Sequence, residues 1–461
     1  MAERLLVIGA DAAGMTAASQ ARKRRRDPDD LSILAFDRGR FASYSACGIP
    51  YWIAGDLEHG ADQLIARTPE EHRKNGIDLR MRTEVEGIDL DAGKVHVRDL
   101  ATGKSDMHPY DQLVLAMGAV PIVPDLPGVD ADNVFGVQTL DDGEVVLNAL
   151  DHEPKPKRAV VVGAGYIGVE MAEAMFRHGL DVTVVEQMDE PMSTLDPDMG
   201  RLVHHAMEGL GIDLRTGSEV EGIETDDDGH VRAVAVRGGD EIPADIVVLG
   251  IGVRPNTDIA KEAGLALGVK DAIRTDLQMR CEGHAEVWAG GDCVQVLDRV
   301  TGTHLHVPLG THANKQGKVI GTNIGGGYAT FPGIVQTAVS KVCHLEIART
   351  GLLEADAKKA GYEYEAVTVK STTKAGYFPG TKPMTVKMLA ERRSGLLLGG
   401  QIVGSEGSGK RIDTIAVALW NRMTVEELTA VDLSYAPPFS PVWDPVLIAA
   451  RKAAEAVAGE P

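Results

Sequence analysis

Residues 158–168 read Arg-Ala-Val-Val-Val-Gly-Ala-Gly-Tyr-Ile-Gly. The apolar run that ends at Val162 predicts a buried parallel strand, and the glycines at 163, 165 and 168 predict a tight turn into a helix. In such a turn the first glycine bends the chain, the second admits a pyrophosphate and the third lets helix and strand pack closely. The spacing therefore indicates a unit that binds a dinucleotide.

A second copy of this pattern opens the chain. Residues 4–14 read Arg-Leu-Leu-Val-Ile-Gly-Ala-Asp-Ala-Ala-Gly, with Asp11 in place of the middle glycine. Each copy precedes a predicted helix, over residues 14–26 and 166–178, and then a further apolar run, over 31–37 and 181–186. This βαβ pattern, present twice, predicts an α/β fold with two Rossmann-like dinucleotide-binding domains.

An acidic residue follows the second strand of each copy. Glu186 stands where a carboxylate binds ribose hydroxyls and repels a 2′-phosphate, so NADH is expected in preference to NADPH. Asp37 takes the same place in the first copy, and the run Val287-Trp-Ala-Gly-Gly-Asp292 adds a carboxylate suited to the ribityl chain of a flavin. The first site is therefore predicted to hold FAD, and a second NAD-type unit without flavin is the alternative.

The pattern changes after the glycines at 325–327. Alternating stretches at 364–370 and 385–389 predict antiparallel strands, and residues 412–422 predict an amphipathic helix. We expect a discontinuous FAD-binding domain over residues 1–119 and 253–326. An NAD-binding domain over 120–252 and a C-terminal α+β dimerisation domain over 327–461 complete the predicted organisation.

Composition excludes several classes of protein. The net charge of −21 argues against a general nucleic-acid binder, because a polyanion would be repelled. The four cysteines, at 47, 281, 293 and 343, form neither a disulfide framework nor a metal site, which indicates a reducing, cytoplasmic setting. No apolar run reaches the ~18 residues of a membrane helix. The N-terminus lacks the features of a signal peptide.

The segment Ser43-Tyr-Ser-Ala-Cys-Gly-Ile-Pro-Tyr51 carries the cysteine expected to be redox-active. Since proline is tolerated only in the first turn of a helix, Pro50 predicts a helix that begins near Cys47, whose N-terminus favours the thiolate. Position 52 is tryptophan, so Cys47 has no resolving cysteine nearby. A lone thiol beside a flavin cycles as a mixed disulfide or as a sulfenic acid. The other three cysteines are interpreted as packing residues.

With these motifs the chain resembles the coenzyme A-disulfide reductases, in the single-cysteine branch of the pyridine nucleotide-disulfide oxidoreductases, over essentially its whole length. The segments 374–383, 406–413 and 433–445 carry the more discriminating C-terminal part of the resemblance. It implies a homodimer in which the partner's C-terminal domain completes each active site. Tyr377 and Tyr435 match tyrosines that reach over the cysteine of the other subunit, where a hydroxyl can protonate a departing thiolate.

The resemblance also implies the residues that contact cofactors. Tyr166 takes the family's gating position at the nicotinamide, and a helix from about Thr311 is expected to aim its N-terminus at the flavin pyrimidine. The expected FAD-binding and NADH-binding residues are Gly9, Asp11, Ala12, Ala13, Gly14, Asp37, Arg38, Val85, Ala116, Gly118, Gly163, Gly165, Tyr166, Ile167, Gly168, Glu170, Glu186, Gly252, Asp292, Leu309 and Thr311.

Coenzyme A is the substrate that the resemblance implies. Gln20, Lys23 and Ser43 match positions that touch it. The basic run over residues 22–26 is either a landing site for its phosphates or a solvated helix end, where cations are favoured.

The expected enzyme is an NADH-dependent flavoprotein that passes electrons through FAD to a mixed disulfide on Cys47, and so reduces coenzyme A disulfide, a coenzyme A persulfide or a related small disulfide. An NADH oxidase or peroxidase that uses a sulfenic acid, and a redox sensor without turnover, are the alternatives. Peroxide-handling relatives carry a histidine where this chain has Ala12, which favours the reductase. Ala46 departs from the asparagine that often precedes the cysteine in coenzyme A-disulfide reductases.

Overall fold

The computed structural model describes residues 2–459, which form three units, each built on a five-stranded sheet. In the first unit all strand pairs are parallel, and the N-terminal strand lies in the middle with the first glycine turn at its carboxyl end. The strand order is Val287–Ala289, Gln112–Leu115, Glu3–Ile8, Leu31–Phe36 and Asp78–Arg80. The fold therefore places Gly9 at the centre of the sheet edge where dinucleotides bind.

The second unit repeats this arrangement. Its sheet is also parallel and has the strand before the second glycine turn in the middle. The order is Asp213–Arg215, Asp181–Val185, Arg158–Val162, Ile246–Leu249 and Val134–Phe135. The fold class predicted from the two glycine turns is confirmed.

The chain crosses between the first two units at one antiparallel strand pair. Ala119–Pro121 leaves the first unit and pairs with Val253–Pro255, which returns to it. The second unit is therefore an insertion in the first, held at its base by two short strands that run side by side.

The third unit is an antiparallel sheet covered by helices. The strand order is Ala338–Val342, Leu345–Gly351, Leu397–Gly404, Pro383–Glu391 and Tyr364–Thr372. The helix Pro445–Ala458 buries Val446, Ala449, Ala450 and Ala453 in the core of this unit. The shorter helices Ile412–Trp420 and Val425–Thr429 contribute to the same core.

The remaining elements surround these sheets. Three-stranded antiparallel sheets comprise Thr83–Asp89, Lys94–Asp99 and Ser105–Pro109, and Val220–Thr225, Val231–Val236 and Asp240–Pro243; a hairpin pairs Val296–Leu297 with His304–Leu305. The other α-helices are Ala12–Arg24, Ile49–Ile53, Pro69–Lys74, Leu140–Asp151, Tyr166–Arg177, Pro197–Gly209, Asp258–Glu262, Gly310–Ile324 and Glu354–Lys359. The 3-10 turns are Ala46–Gly48, Gly60–Leu64, Val269–Asp271 and Gly409–Arg411. No helix in residues 2–459 is long and apolar enough to cross a membrane.

Two helices of the first unit pack at backbone distance. A Cβ placed on Gly317 would lie 2.4 Å from the carbonyl oxygen of Ala13, and one on Gly321 would lie 2.3 Å from that of Ala17. The residue numbers of the contacts increase in both helices, from Ala13 to Ala17 and from Gly317 to Gly321. The helices Ala12–Arg24 and Gly310–Ile324 therefore run in the same direction. Both N-termini therefore face the same end of the first unit, where a cofactor can meet both dipoles.

A buried lysine joins the second and third units. Lys387 Nζ lies 3.1 Å from a carboxylate oxygen of Asp196, 2.6 Å from one of Asp198 and 2.5 Å from one of Glu354. Gln401 adds a hydrogen bond of 2.7 Å to Asp196. Because a buried charge is tolerated only with such partners, the cluster holds the two units in one relative position.

Candidate functional site

The first glycine turn has space for a ligand but none for side chains. Gly9 has φ of +102°, and a Cβ on it would lie 2.1 Å from the carbonyl oxygen of Ala116. A Cβ on Gly14 would lie 2.0 Å from the carbonyl oxygen of Gly9, so the helix that starts at Ala12 rests directly on the strand. Its first turn carries the backbone amides of Ala12, Ala13 and Gly14; that of Ala12 interacts with the Asp11 carboxylate, and those of Ala13 and Gly14 suit a pyrophosphate.

Three half-buried carboxylates lie close to this turn. Asp37 accepts hydrogen bonds of 2.7 Å from the backbone N–H groups of Ala10 and Gly39. Burial raises the pKa of Asp37, raises that of Asp292 to about 6 and raises that of Asp11 to about 7. None of the three has an ion-pair partner in residues 2–459, so hydroxyl donors are the groups that they can bind at least cost. A nucleotide ribose and a ribityl chain carry such hydroxyls, and the residues therefore fit FAD.

The second turn has the same construction around its own acid. Gly163 has φ of +94°, and a Cβ on Gly168 would lie 2.0 Å from the carbonyl oxygen of Gly163. Glu186 accepts from the backbone N–H of Ala164 at 2.7 Å and from that of Met188 at 2.9 Å. A Cβ on Gly165 would meet no protein atom closer than 4.0 Å, so this glycine keeps open a place for a ligand. The residues fit the pyrophosphate and ribose of a nicotinamide dinucleotide.

The other expected cofactor residues lie around the two turns and on the strands that lead to them. Tyr166 and Ile167 open the helix Tyr166–Arg177, and the buried Tyr166 hydroxyl has no hydrogen-bond partner in the described part of the chain. Leu309 and Thr311 lie at the start of the helix Gly310–Ile324. Val85 lies on the strand Thr83–Asp89, Arg38 follows the acid at 37, and Ala116, Gly118 and Gly252 lie in loops that follow strands.

Cys47 lies in the 3-10 turn Ala46–Gly48, immediately before the helix Ile49–Ile53 with Pro50 in its first turn. A helix near Cys47 was expected, but this one has five residues and begins two residues later. Burial raises the pKa of the Cys47 thiol, and the charges of Glu170, Asp292 and Asp11 raise it further. The backbone N–H of Cys47 lowers the pKa, as expected for a thiol at a helix start, but desolvation and the nearby carboxylates outweigh this contribution.

The remaining cysteines differ from Cys47 in their surroundings. Cys281 and Cys293 are buried in the core of the first unit, where they pack as apolar side chains. Cys343 is half-buried in the turn between two strands, and has φ of +47°. It is therefore a half-buried turn residue, and its interpretation as a packing residue stays a prediction.

Glu170 connects all three units beside the thiol. One of its oxygens accepts from the hydroxyl of Tyr51 at 3.0 Å and from that of Ser340 at 2.7 Å. Burial raises the pKa of Glu170. Tyr51 and Ser340 were missed by the sequence analysis: Tyr51 lies within the cysteine motif and could have been found there, but nothing in the sequence marks Ser340, which is brought from the third unit.

The two tyrosines expected from the partner lie together on the third unit. Tyr377 is 77% exposed and Tyr435 is 46% exposed, and the neighbouring hydroxyl of Tyr377 raises the pKa of Tyr435. Their loops are joined by a hydrogen bond of 3.2 Å from the N–H of Ala375 to the carbonyl oxygen of Pro437. Exposed Phe439, Val442 and Trp443 follow in the second loop. An exposed apolar and aromatic group of this kind is typical of a protein–protein interface.

The three predicted substrate residues have different surroundings. Gln20 donates to the hydroxyl of Thr322 at 3.0 Å, Lys23 is exposed, and the hydroxyl of Ser43 lies 2.9 Å from Nε2 of His72. His72 is a further residue that the sequence analysis missed.

The basic run is mostly structural. The guanidinium of Arg22 donates to the carbonyl oxygens of Leu31 and Gly76, and that of Arg24 to Gly325. Arg25 pairs with Glu3 and Asp30. Of the five basic residues, Lys23 and Arg26 make neither an ion pair nor a side-chain hydrogen bond in residues 2–459, so they are the ones that remain available for an anionic ligand.

Comparisons with known proteins agree with this geometry. Residues 3–317 match the pyridine nucleotide-disulphide oxidoreductase family, and residues 337–445 match the dimerisation domain of that family. The chain is 38% identical to an NADH oxidase of Methanocaldococcus jannaschii over 98% of both chains. It is 34% identical to a CoA-dependent NAD(P)H sulfur oxidoreductase of Pyrococcus furiosus, over 97% of this chain and 98% of the other. The NAD-dependent persulfide reductase of A. fulgidus superposes with a TM-score of 0.94 at 37% identity, over 99% of this chain and 84% of the other.

The charge of Glu170 is predicted to control the ionisation of Cys47. Glu170→Gln removes a negative charge that opposes the thiolate, so the pKa of Cys47 should fall and alkylation by iodoacetamide should reach half its maximal rate at a lower pH. Mass spectrometry of the Cys47 peptide over a pH series measures this midpoint. Glu426→Gln, on an exposed helix of the third unit, is the matched control and should leave it unchanged. An unchanged or higher midpoint in Glu170→Gln contradicts the assignment.

Proposed function

The chain belongs to the pyridine nucleotide-disulphide oxidoreductases, and from this premise we propose that it reduces coenzyme A disulfide, or a persulfide of coenzyme A, with NADH as electron donor. The observation that carries the proposal is the isolation of Cys47. It lies next to the first dinucleotide site, while Cys281 and Cys293 are buried in the core of the first unit. A thiol without a resolving cysteine needs a sulfur atom from the substrate to form a disulfide.

The cofactors follow from the fit of the two sites. Gly9, Gly14, Asp37 and Asp292 would hold FAD, while Gly163, Gly168 and Glu186 would hold the nicotinamide dinucleotide. Bound FAD accepts a hydride from NADH and supplies its two electrons for disulfide reduction. Tyr166 lies in the first turn of the second helix, and we propose it as the residue that gates the nicotinamide, the role that the family resemblance implies.

The protein residues then carry the sulfur chemistry. The Cys47 thiolate attacks coenzyme A disulfide, an S–S bond to Cys47 forms as the substrate S–S bond breaks, and one coenzyme A thiolate leaves. Two electrons then cleave the mixed disulfide, which releases the second coenzyme A and restores the Cys47 thiolate. The balance is NADH, a proton and the disulfide in, and NAD⁺ and two thiols out. With a persulfide as substrate, the reduced sulfur leaves as hydrogen sulfide.

The relatives support coenzyme A as the thiol. The Pyrococcus furiosus protein is named for CoA-dependent sulfur reduction, and the A. fulgidus structure is that of a persulfide reductase. The exposed cations of Lys23 and Arg26 are available to the phosphates of coenzyme A. Gln20 and Ser43 are proposed as further contacts.

An NADH oxidase is the second candidate, because the Methanocaldococcus jannaschii relative carries that name. A sulfenic acid cycle needs an acid–base group at the thiol, and the first helical turn offers Ala12 there. Steady-state NADH consumption separates the candidates: coenzyme A disulfide supports turnover in a reductase, whereas oxygen or peroxide alone supports it in an oxidase or peroxidase. A redox sensor does not turn over, so it does not consume NADH continuously with coenzyme A disulfide, oxygen or peroxide.

Replacement of Cys47 is expected to uncouple the two halves of the reaction. Cys47→Ser lacks the thiolate that forms the mixed disulfide, so reduction of coenzyme A disulfide should fall to background. NADH should still bleach the flavin at the wild-type rate, because this reaction precedes the sulfur step; stopped-flow absorbance measures it. Cys343→Ser is the control and should keep both activities. Full disulfide reductase activity in Cys47→Ser would refute the proposal.

We further propose that the protein works as a homodimer in which Tyr377 and Tyr435 act on the partner's thiol. Tyr435→Phe should slow thiol release by ~10²–10⁴-fold if its hydroxyl is the general acid. Mixing Cys47→Ser chains with Tyr435→Phe chains should restore activity, since one of the two sites in a mixed dimer then has both groups. Because the two substitutions change the mass by the same amount, one variant is labelled with nitrogen-15 so that native mass spectrometry can detect the mixed dimer. Exchange without restored activity would place Tyr435 outside the partner's site.

The preference for NADH is proposed from Glu186 and its surroundings. Its carboxylate is held by two backbone amides and faces the place of the ribose hydroxyls, where it repels a 2′-phosphate. The value of kcat/KM should therefore be higher for NADH than for NADPH. Glu186→Gln should bring the kcat/KM values for NADH and NADPH closer together. Equal kcat/KM values for the two cofactors in the wild-type enzyme would contradict this assignment.

A further inference from the structure

The loop that carries Cys47 contains a residue in an unfavourable conformation. Ser43 has φ of +48°, in the left-handed region that serine seldom adopts. Its N–H donates to the carbonyl oxygen of Ala10 at 2.9 Å, and its own carbonyl oxygen accepts from the N–H of Ala66 at 2.8 Å. Its hydroxyl lies 2.9 Å from Nε2 of His72. These three contacts hold a conformation that the residue alone disfavours.

His72 is a buried side chain on the helix Pro69–Lys74 and is 1% exposed. Burial lowers its pKa to about 4, with the charge of Arg67 as the second cause, so the ring is neutral at neutral pH. Its Nδ1 atom is buried and has no partner in residues 2–459. Within those residues, the contact with Ser43 is therefore the one hydrogen bond that the ring makes.

The unpartnered nitrogen indicates which ring atom carries the proton. A neutral imidazole has one N–H and one bare nitrogen. Buried donors without partners are rarer than buried acceptors without partners, so the proton belongs on Nε2, which donates to Ser43. Ser43 then accepts this hydrogen bond and keeps its own hydroxyl proton for another partner.

The connection from Ser43 to Cys47 is short and tightly held. The backbone N–H of Tyr44 donates to Asp11 at 3.2 Å, and that of Ser45 donates to the carbonyl oxygen of Leu64 at 2.9 Å. A relaxation of Ser43 out of the left-handed region would therefore disturb the backbone that ends at Cys47.

We propose that His72 is a positioning residue for the sulfur chemistry: it holds Ser43 in the left-handed conformation, and so fixes the Cys47 loop and leaves the serine hydroxyl as a donor to the substrate. This inference takes coenzyme A disulfide as the substrate from the proposed function. The role of His72 in positioning the Cys47 loop does not depend on which substrate the enzyme uses.

Four variants of the FAD-loaded protein test the assignment. His72→Phe keeps an aromatic ring but removes the hydrogen bond, and His72→Gln places an amide nitrogen near the position of Nε2. Ser43→Ala removes the hydroxyl, and the double variant combines Ser43→Ala with His72→Phe. His96→Phe, on an exposed strand, is the matched control. The readouts are kcat and KM for coenzyme A disulfide, the rate of flavin reduction by NADH, and the rate of Cys47 alkylation.

His72→Phe should lower kcat/KM for the disulfide by roughly tenfold, the factor expected for one hydrogen bond, and should change the alkylation rate of Cys47. Flavin reduction by NADH should stay at the wild-type rate, which a general loss of structure would not allow. His72→Gln should recover most of the loss. Ser43→Ala should match His72→Phe, and the double variant should be no worse than either, because the residues act as one pair.

The inference would be overturned by wild-type disulfide kinetics and wild-type alkylation of Cys47 in both Ser43→Ala and His72→Phe. It would also be overturned by equal losses of kcat/KM in His72→Phe and His72→Gln, or by additive losses of kcat/KM in the double variant. If His72→Phe fails to fold, Ser43→Ala is compared with the wild-type protein: it should still lower kcat/KM for the disulfide and change the alkylation rate of Cys47, and wild-type values of both would overturn the inference. A wild-type protein that does not reduce coenzyme A disulfide refutes the proposed function instead, and the alkylation rates of Cys47 still decide the role of His72.

Discussion

Contact between backbones, at places where no side chain fits, underlies both dinucleotide sites. At Gly14 and at Gly168 an added Cβ would stand 2.0 Å from the carbonyl oxygen of the glycine that begins the turn. This approach seats each helix on its strand with the N-terminus at the sheet edge, where free amides bind phosphate. The same turn offers one amide to the acid of the neighbouring strand, Asp37 or Glu186. Phosphate and ribose recognition thus follow from a single packing constraint.

The proposed reaction centre lies where the three units meet. The thiol comes from the first unit, Glu170 from the second, and Ser340, which donates to Glu170, from the third. Lys387 and its carboxylates hold the second and third units together away from the thiol. Because burial and the carboxylates near Cys47 raise its pKa, the surroundings of the thiol disfavour the thiolate. Its reactivity is therefore set by the relative position of the units as well as by the cysteine motif.

Much of this architecture could be predicted from local patterns. The strands that end at Ile8 and Val162, the glycine turns and the two acids repeat a spacing that backbone geometry requires, so they were found without the structure. Other features were not predictable in this way. The arginines of the run over residues 22–26 differ in role because Leu31 and Gly76 lie beside Arg22, while Asp30 lies beside Arg25. Cys47 precedes its helix and does not begin it, because a 3-10 turn intervenes.

The sequence by itself determined the α/β class, the two dinucleotide units and the lone cysteine, because each depends on residues close together in the chain whose spacing is dictated by local backbone geometry. Only the tertiary structure decided the surroundings of that cysteine. Ser340 and His72 carry no motif, and each becomes significant through one hydrogen bond, to Glu170 or to Ser43. The ionisation of a thiol and the conformation of the loop that carries it depend on burial and on polar or charged groups a few ångströms away. Those distances arise when remote parts of the chain pack together, and spacing along the sequence does not contain them.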